Sequence, residues 1–395
     1  MALFTNALTD FRGETLRGSP GFFRVGRTHA GQWWLIDGSD RPFFAKAVHG
    51  VSAQANGVHD PAARLRSWGF NALGAASGRL YLEEGLPFLA TVDFGAKATP
   101  VHLAGVRLPD VFNSDWPKDA QRRAAEVCAP LAESSEVIGW LTDDCPGWPS
   151  AAAEERPGLL QVCLSLEPGL AAYHAAWEFV CALYGHAING LTRAWGLTLT
   201  NKESLRAMTR QDRGIATRGY RRDDERWTRE FAQRYFSTAT SAIREQAPHH
   251  LVLGCRWGGP VSAALRQACA SVADVCFVDH TEIPDNGSAP VMVGDFSWVS
   301  ARFFDGLSSR RMLGPTKVER MLRRGRLALT RAVGHPAVVG YAWSRWHDRS
   351  GELPPFGTGL VRKDETEARE HTELLTAVND RVEEIRGMTL IPDLA

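Results

Sequence analysis

The chain carries no excess charge of either sign: 45 Lys plus Arg balance 45 Asp plus Glu. That balance excludes the basic field that gathers nucleic acid or an anionic membrane surface, and it suits a neutral substrate. No run approaches the roughly 18 apolar residues needed to span a bilayer. Residues Met1 to Gly13 show no basic stretch followed by an apolar core, so the expectation is a soluble, unexported, cytoplasmic protein. Seven cysteines (128, 145, 163, 181, 255, 269 and 276) form no CxxC pair, which argues against a disulfide framework and a structural zinc. Neither GxGxxG nor GxxxxGK[ST] follows an apolar run, and His249-His250 and His347-Asp348 are isolated pairs without metal-ligand spacing. The basic segment from Arg320 to Ala332 has helical spacing and no interleaved aromatics, so it reads as a solvated helix face. The expectation is therefore no cofactor, no metal, no nucleic-acid or membrane partner, and a small-molecule or oligosaccharide substrate.

What the chain does have is an alternation of short apolar runs with amphipathic stretches, the pattern of a parallel sheet wrapped by helices. Eight strands are predicted near Phe43 to Val48, Phe70 to Gly74, Phe88 to Val92, Val137 to Leu141, Leu251 to Cys255, Val275 to Asp279, Val291 to Gly294 and Val338 to Trp343. Helices are predicted over Leu170 to Trp195, Lys202 to Met208, Glu225 to Gln246, Lys317 to Val333 and Glu365 to Ile385, with an Arg-rich loop from Arg210 to Arg222. Before the first strand, Gln32 to Phe44 reads as a β-hairpin turning at Asp37-Gly38-Ser39-Asp40. The expected architecture is α/β: a (β/α)8 TIM barrel over residues 42–395, preceded by a segment, 1–41, whose hairpin caps one end.

Barrel enzymes place their chemistry at the carboxyl ends of the strands. The fourth run ends in Thr142-Asp143-Asp144-Cys145-Pro146, and the seventh ends in Gly294-Asp295-Phe296. Each terminates an apolar strand in acid, which points to a two-acid sugar site. His49 and His280 follow the first and sixth strands. Trp343, with Trp298 and Trp148, is a candidate platform for a sugar ring. Asn71 and Arg256 are candidate hydrogen-bonding residues for substrate.

Several segments, in order, resemble agarase-type members of the retaining glycoside hydrolase clan built on (β/α)8 barrels. They are Trp68-Gly69-Phe70-Asn71, Leu108-Pro109-Asp110-Val111-Phe112, Phe231 to Phe236 with Ala242-Ile243-Arg244, and His250 to Arg256. The closing pattern Val339 to Trp343, Asp348 and Gly359-Leu360-Val361 continues the likeness, which spans about residues 40 to 387. In that family strand four resembles Gly-Tyr-Phe-x-Asp-Asn-Glu, its Glu the general acid/base, and strand seven ends in Gly-Glu-Phe, its Glu the nucleophile. Laid on this pattern, Asp143 matches the Asp, Asp144 stands for Asn, Cys145 takes the acid/base position and Asp295 replaces the nucleophile. Both catalytic Glu positions are thus substituted.

Three readings follow from those substitutions. Asp144 or Asp143 moves the proton for a glycoside hydrolase with Asp295 as nucleophile; adjacent strand residues point to opposite faces, so one of the two is expected to face the mouth. Alternatively Cys145 is itself reactive, with His49 or His280 as base and Asp295 or Asp279 orienting it, in a cysteine-dependent transferase, lyase or cyclase. The third reading is a non-catalytic carbohydrate-binding barrel.

Overall fold

The computed structural model describes residues 8–52, 60–77, 85–96, 100–103, 106–149, 156–186, 188–257, 261–284, 287–298, 315–348 and 357–388. Eight parallel strands form the central sheet: β1 (Ala45–Val48), β2 (Ala72–Leu73), β3 (Phe88–Thr91), β4 (Val137–Asp144), β5 (Val252–Arg256), β6 (Cys276–Val278), β7 (Val291–Phe296) and β8 (Val338–Trp343). Their order, β5-β4-β3-β2-β1-β8-β7-β6, runs around a barrel with its seam between β5 and β6. Single bonds stitch that seam: Asp274 N–H donates to the Val252 carbonyl at 2.8 Å, and the Trp257 indole donates to Phe277 at 3.0 Å. The eight expected strands are those observed, with ends that coincide or shift by up to three residues.

The helices are α1 (Pro61–Ser67), α2 (Trp116–Cys128), α3 (Leu159–Leu164), α4 (Ala171–Tyr184), α5 (Ile188–Trp195), α6 (Lys202–Arg210), α7 (Arg218–Gln246), α8 (Ala263–Ala270), α9 (Pro315–Gly334), α10 (Arg369–Asn379) and α11 (Val382–Met388). Three expectations are corrected here. The helix expected over Leu170 to Trp195 breaks after Tyr184, where Gly185 takes φ 77° and ends α4 as glycine does readily. The last helix divides at Asp380. The Arg-rich loop is shorter than expected, because α7 starts at Arg218: Tyr220, Asp223, Trp227 and Phe231 continue one buried face, and the Thr217 side chain caps it.

The hairpin is present and gains a third strand, Arg24–Arg27, paired antiparallel to Trp33–Ile36, which pairs in turn with Pro42–Phe43. This sheet closes the amino-terminal end of the barrel. Trp33 N–H donates to Pro336, its indole to Gly287, and Arg386 of α11 reaches the Trp33 carbonyl at 2.7 Å. Phe23, Val25, Trp33 and Leu35 pack with the inward side chains Ala45, Ala47, Ala72, Leu89, Ile138, Leu253, Met292 and Ala342. Alanines on β1, β2 and β8 leave the volume that the aromatic plug fills, and interiors tolerate few voids. One end of the barrel is thereby sealed, which leaves the carboxyl ends for chemistry.

Candidate active site

Register decides which side chains reach the mouth. On β5, Leu253 faces the barrel interior and Cys255 the helices; register shifts on either side of Gly254, itself at φ 70°, break the simple alternation. Arg256 and Asp144 become cross-strand partners on adjacent strands. Their side chains meet at 2.6 Å between Nη1 and Oδ1. From β7, Asp295 closes on the same guanidinium, Oδ2 accepting from Nε at 3.0 Å and Oδ1 from Nη2 at 2.5 Å. The bidentate fork is the geometry in which Arg holds carboxylate most strongly. Three hydrogen bonds to one guanidinium gather the two carboxyls at the mouth. Burial opposes the charge on Arg256, but Asp295 and then Asp144 outweigh it and raise its pKa.

Asp143 turns the other way. Its Oδ1 accepts the Gly95 N–H at 2.9 Å and its Oδ2 accepts the Tyr235 hydroxyl from α7. Burial pushes this carboxyl up to about 7 against those two hydrogen bonds. Asp143 therefore ties β4 to its covering helix, and Asp144 is the acid that faces the mouth. Arg256 pairs with Asp144 and Asp295 rather than with Asp143.

Cys145 and Asp295, the two positions matched to catalytic Glu, both take left-handed backbone angles, φ 52° and 51°. Non-glycine residues are uncommon there, and such strain gathers at functional sites. The Cys145 N–H donates to the Arg256 carbonyl at 2.9 Å, fixing the turn. Cys145 is exposed to solvent, yet the protein packed around its sulfur pushes the thiol up to about 12; Arg256 lowers it, while Asp144 and Asp295 raise it. At neutral pH almost none of it is thiolate, the nucleophilic form. Iodoacetamide is accordingly expected to label Cys145 at least about tenfold more slowly than a free cysteine at pH 8. Labelling should still be rising about tenfold per pH unit at pH 10, where that of a free cysteine has levelled off; peptide mapping by mass spectrometry follows this directly, and fast labelling at pH 7 would contradict it.

His49, at the end of β1, is 2% exposed. Burial first, and Arg256 second, hold its imidazole well below the ordinary value, Asp144 acting in the opposite sense, so the ring is neutral at pH 7. His280 stands beside Asp279, with 3.4 Å between Nδ1 and Oδ1, and its ring meets Phe296 edge-on. The charges that act most on the Cys145 sulfur are Arg256, Asp144 and Asp295, not an imidazole. Asp295 orients Arg256 rather than a histidine.

The aromatic candidates need correction. Trp343 is fully buried, its indole N–H donating to Thr358 at 2.8 Å and its ring meeting Trp298 at 5.0 Å, so it presents no open face for a sugar ring. Trp298 is buried against α9, where a Cβ on Gly325 would lie 2.4 Å from its ring. Trp148 stacks on Phe236 of α7. Asn71 lies at the opposite end of the barrel: its side chain accepts from Lys46 N–H and donates to the Phe44 carbonyl, where β1 begins.

One acid escaped the sequence reading. Asp93 follows β3, its N–H donating to Thr142 at 2.9 Å, with φ 59°. Burial raises its pKa, Arg123 lowers it and neighbouring Asp144 raises it further. The signal was the same as for β4 and β7, an apolar run ending in acid, Leu89-Ala90-Thr91-Val92-Asp93. Tyr235, the partner of Asp143, had no such signal, because its contact depends on how α7 lies on β4.

No family model matches the chain. A curated relative, β-agarase A of Vibrio sp. (strain JT0107), is 27% identical over 232 residues, covering 54% of this chain and 23% of its own. This chain thus spans about a quarter of that relative's length. Among solved structures, an exo-β-agarase superposes with a TM-score of 0.66 at 17% identity, covering 95% of this chain and 67% of its own. BpGH50 gives a TM-score of 0.67 at 14% identity, with 97% and 86% covered. The fold is the TIM barrel of those glycoside hydrolases. No helix among the described residues is long and apolar enough to cross a membrane.

Proposed function

We propose that the barrel acts on a neutral glycoside, with Asp295 as the nucleophile, and that it lacks a strong acid for the leaving group. The observation that carries this reading is the Arg256 clasp. It presents Asp295 from β7 and Asp144 from β4 on opposite sides of one guanidinium. The bidentate fork fixes the position of the Asp295 carboxylate, as a nucleophile requires. The same clasp occupies Asp144, whose Oδ1 accepts from Arg256 Nη1 at 2.6 Å, so that oxygen is not free to serve the leaving group. Cys145, where the family's acid stands, holds its proton too tightly to exchange it near neutrality. Two acids around one arginine also disfavour an anionic sugar. Likeness to a β-agarase in sequence, and to agarases in fold, supports the sugar-directed part of the reading.

Such a site cleaves glycosides whose leaving group departs without protonation. Turnover of 4-nitrophenyl β-glycosides of glucose, galactose and mannose is expected, with methyl glycosides nearly inert. Asp295→Asn should reduce the aryl glycoside rate about a thousandfold or more, as removal of a nucleophile does. The second reading, a carbohydrate-binding barrel without catalysis, draws on the same clasp, because Arg256 engages both acids at once. It predicts saturable binding with no nitrophenol release in either protein. A cysteine-dependent reaction would require a thiolate that this mouth disfavours.

A further inference from the structure

We infer that Tyr235 is a positioning residue for the mouth: through Asp143 it sets where the strand ends that carry Asp93, Asp144 and Cys145 lie. The inference rests on the sugar-directed reading above and adds to it a residue placed behind the mouth. The Tyr235 hydroxyl donates to Asp143 Oδ2, and the Gly95 N–H donates to Asp143 Oδ1 at 2.9 Å. One carboxyl thus joins β4, the turn after β3 and α7. The next residue along β4 is Asp144, whose Oδ1 meets Arg256 Nη1 at 2.6 Å.

This bracket sits where the backbone is strained. Asp93 precedes Gly95 and Cys145 follows Asp143, each by two positions, and both take left-handed angles, φ 59° and 52°. Such conformations persist only where the surroundings over-determine them. Strand pairing supplies part of the constraint: Val92 N–H donates to Leu141 at 3.0 Å, Asp93 N–H to Thr142 at 2.9 Å and Cys145 N–H to Arg256 at 2.9 Å. Those bonds tie each strand end to its neighbour in the sheet. From the helix layer, Arg123 of α2 reaches the Val92 carbonyl at 2.9 Å, and Tyr235 of α7 reaches Asp143.

The Tyr235 ring is itself held. It is fully buried, stacks on Trp116 of α2 with centroids 5.6 Å apart, and meets Trp148 edge-on at 5.4 Å. Its hydroxyl is therefore a fixed point against which β4 is set. A buried acid is costly, and apolar side chains pack a strand on a helix at least as well. Hydrogen bonds add direction, which packing does not, and a satisfied buried polar group specifies one arrangement of its neighbours.

The test compares the wild-type chain with Tyr235→Phe, which removes one oxygen and keeps the ring. On the 4-nitrophenyl β-glycoside that wild type turns over fastest, kcat should fall about ten- to a hundredfold with KM changed by less than about threefold, because a displacement of roughly 1 Å costs that much in rate. A second readout needs no turnover: iodoacetamide labelling at pH 9 with peptide mapping. A released strand end relieves the packing that keeps the Cys145 thiol protonated, so Cys145 should label at least about threefold faster in Tyr235→Phe. Cys128 and Cys163, both buried in helices, should keep their wild-type rates. Acceleration at all three cysteines would mean general loosening and would overturn the inference, as would an unchanged kcat or an unchanged rate at Cys145. If wild type turns over none of the aryl glycosides, the sugar-directed reading falls, and labelling at Cys145 alone decides whether Tyr235 places the strand end.

Discussion

Cys145→Glu is expected to raise turnover of methyl and other unactivated β-glycosides by about 10²- to 10⁴-fold, the usual contribution of a positioned general acid. Aryl glycosides, whose leaving groups need no proton, should gain little. The substitution puts a carboxyl where the resembling family carries one, on a backbone already in the left-handed conformation, φ 52°, so Glu meets no strain that Cys does not. Position 145 is open to solvent and can take the longer side chain. The introduced carboxyl would lie beside Asp144 and Asp295, and two neighbouring carboxylates raise a pKa, which is what a general acid at neutral pH requires. Rates with methyl and 4-nitrophenyl glycosides in the same preparation provide the measurement. Equal gains on both would mean that the carboxyl acts on something other than the leaving group. No gain on either, with the fold intact, would favour the binding-only reading.

How far the sequence anticipated this site depends on the range of the interactions. The strands were legible because each is a local apolar run bounded by turns, and a strand end in acid marks the mouth without knowledge of neighbours. That is why Asp144, Cys145 and Asp295 could be placed at strand ends, and the same signal at Asp93 was available. The direction each side chain takes was not legible. The choice between Asp143 and Asp144 follows from register shifts around Gly254, a property of two paired strands rather than of one. Trp343 shows a related limit: its place at a strand end was right, but Trp298, Thr358 and His371 converge on it from separate loops and α10, converting an expected platform into core. Asn71 was placed in the right strand unit and at the wrong end of it, because it precedes β2 rather than following it.

Arg256→Met is expected to be strongly destabilising, costing about 1 to 3 kcal/mol at pH 7.5, because it leaves two half-buried carboxylates without the cation that accepts their charge. The Arg256 side chain is 12% exposed and those of Asp144 and Asp295 are 25% and 32% exposed, so water screens the acids only in part. The pH dependence has a definite sign. Without the guanidinium, Asp144 and Asp295 have no cation between them, and neighbouring carboxylates repel wherever both are charged. A carboxyl whose folded pKa is raised contributes stability that is fully present below the unfolded value, near 4, and is lost as pH rises through the folded one. The deficit of the variant relative to wild type should therefore be small at pH 4 and grow towards pH 7.5, as urea unfolding at several pH values would record. Adding Asp144→Asn to Arg256→Met removes one of the opposed charges and should recover part of the loss, mainly at the higher pH. A deficit that is flat with pH, or untouched by Asp144→Asn, would show that Arg256 stabilises the barrel by packing, and the clasp would then lose its claim to hold Asp295 as a nucleophile.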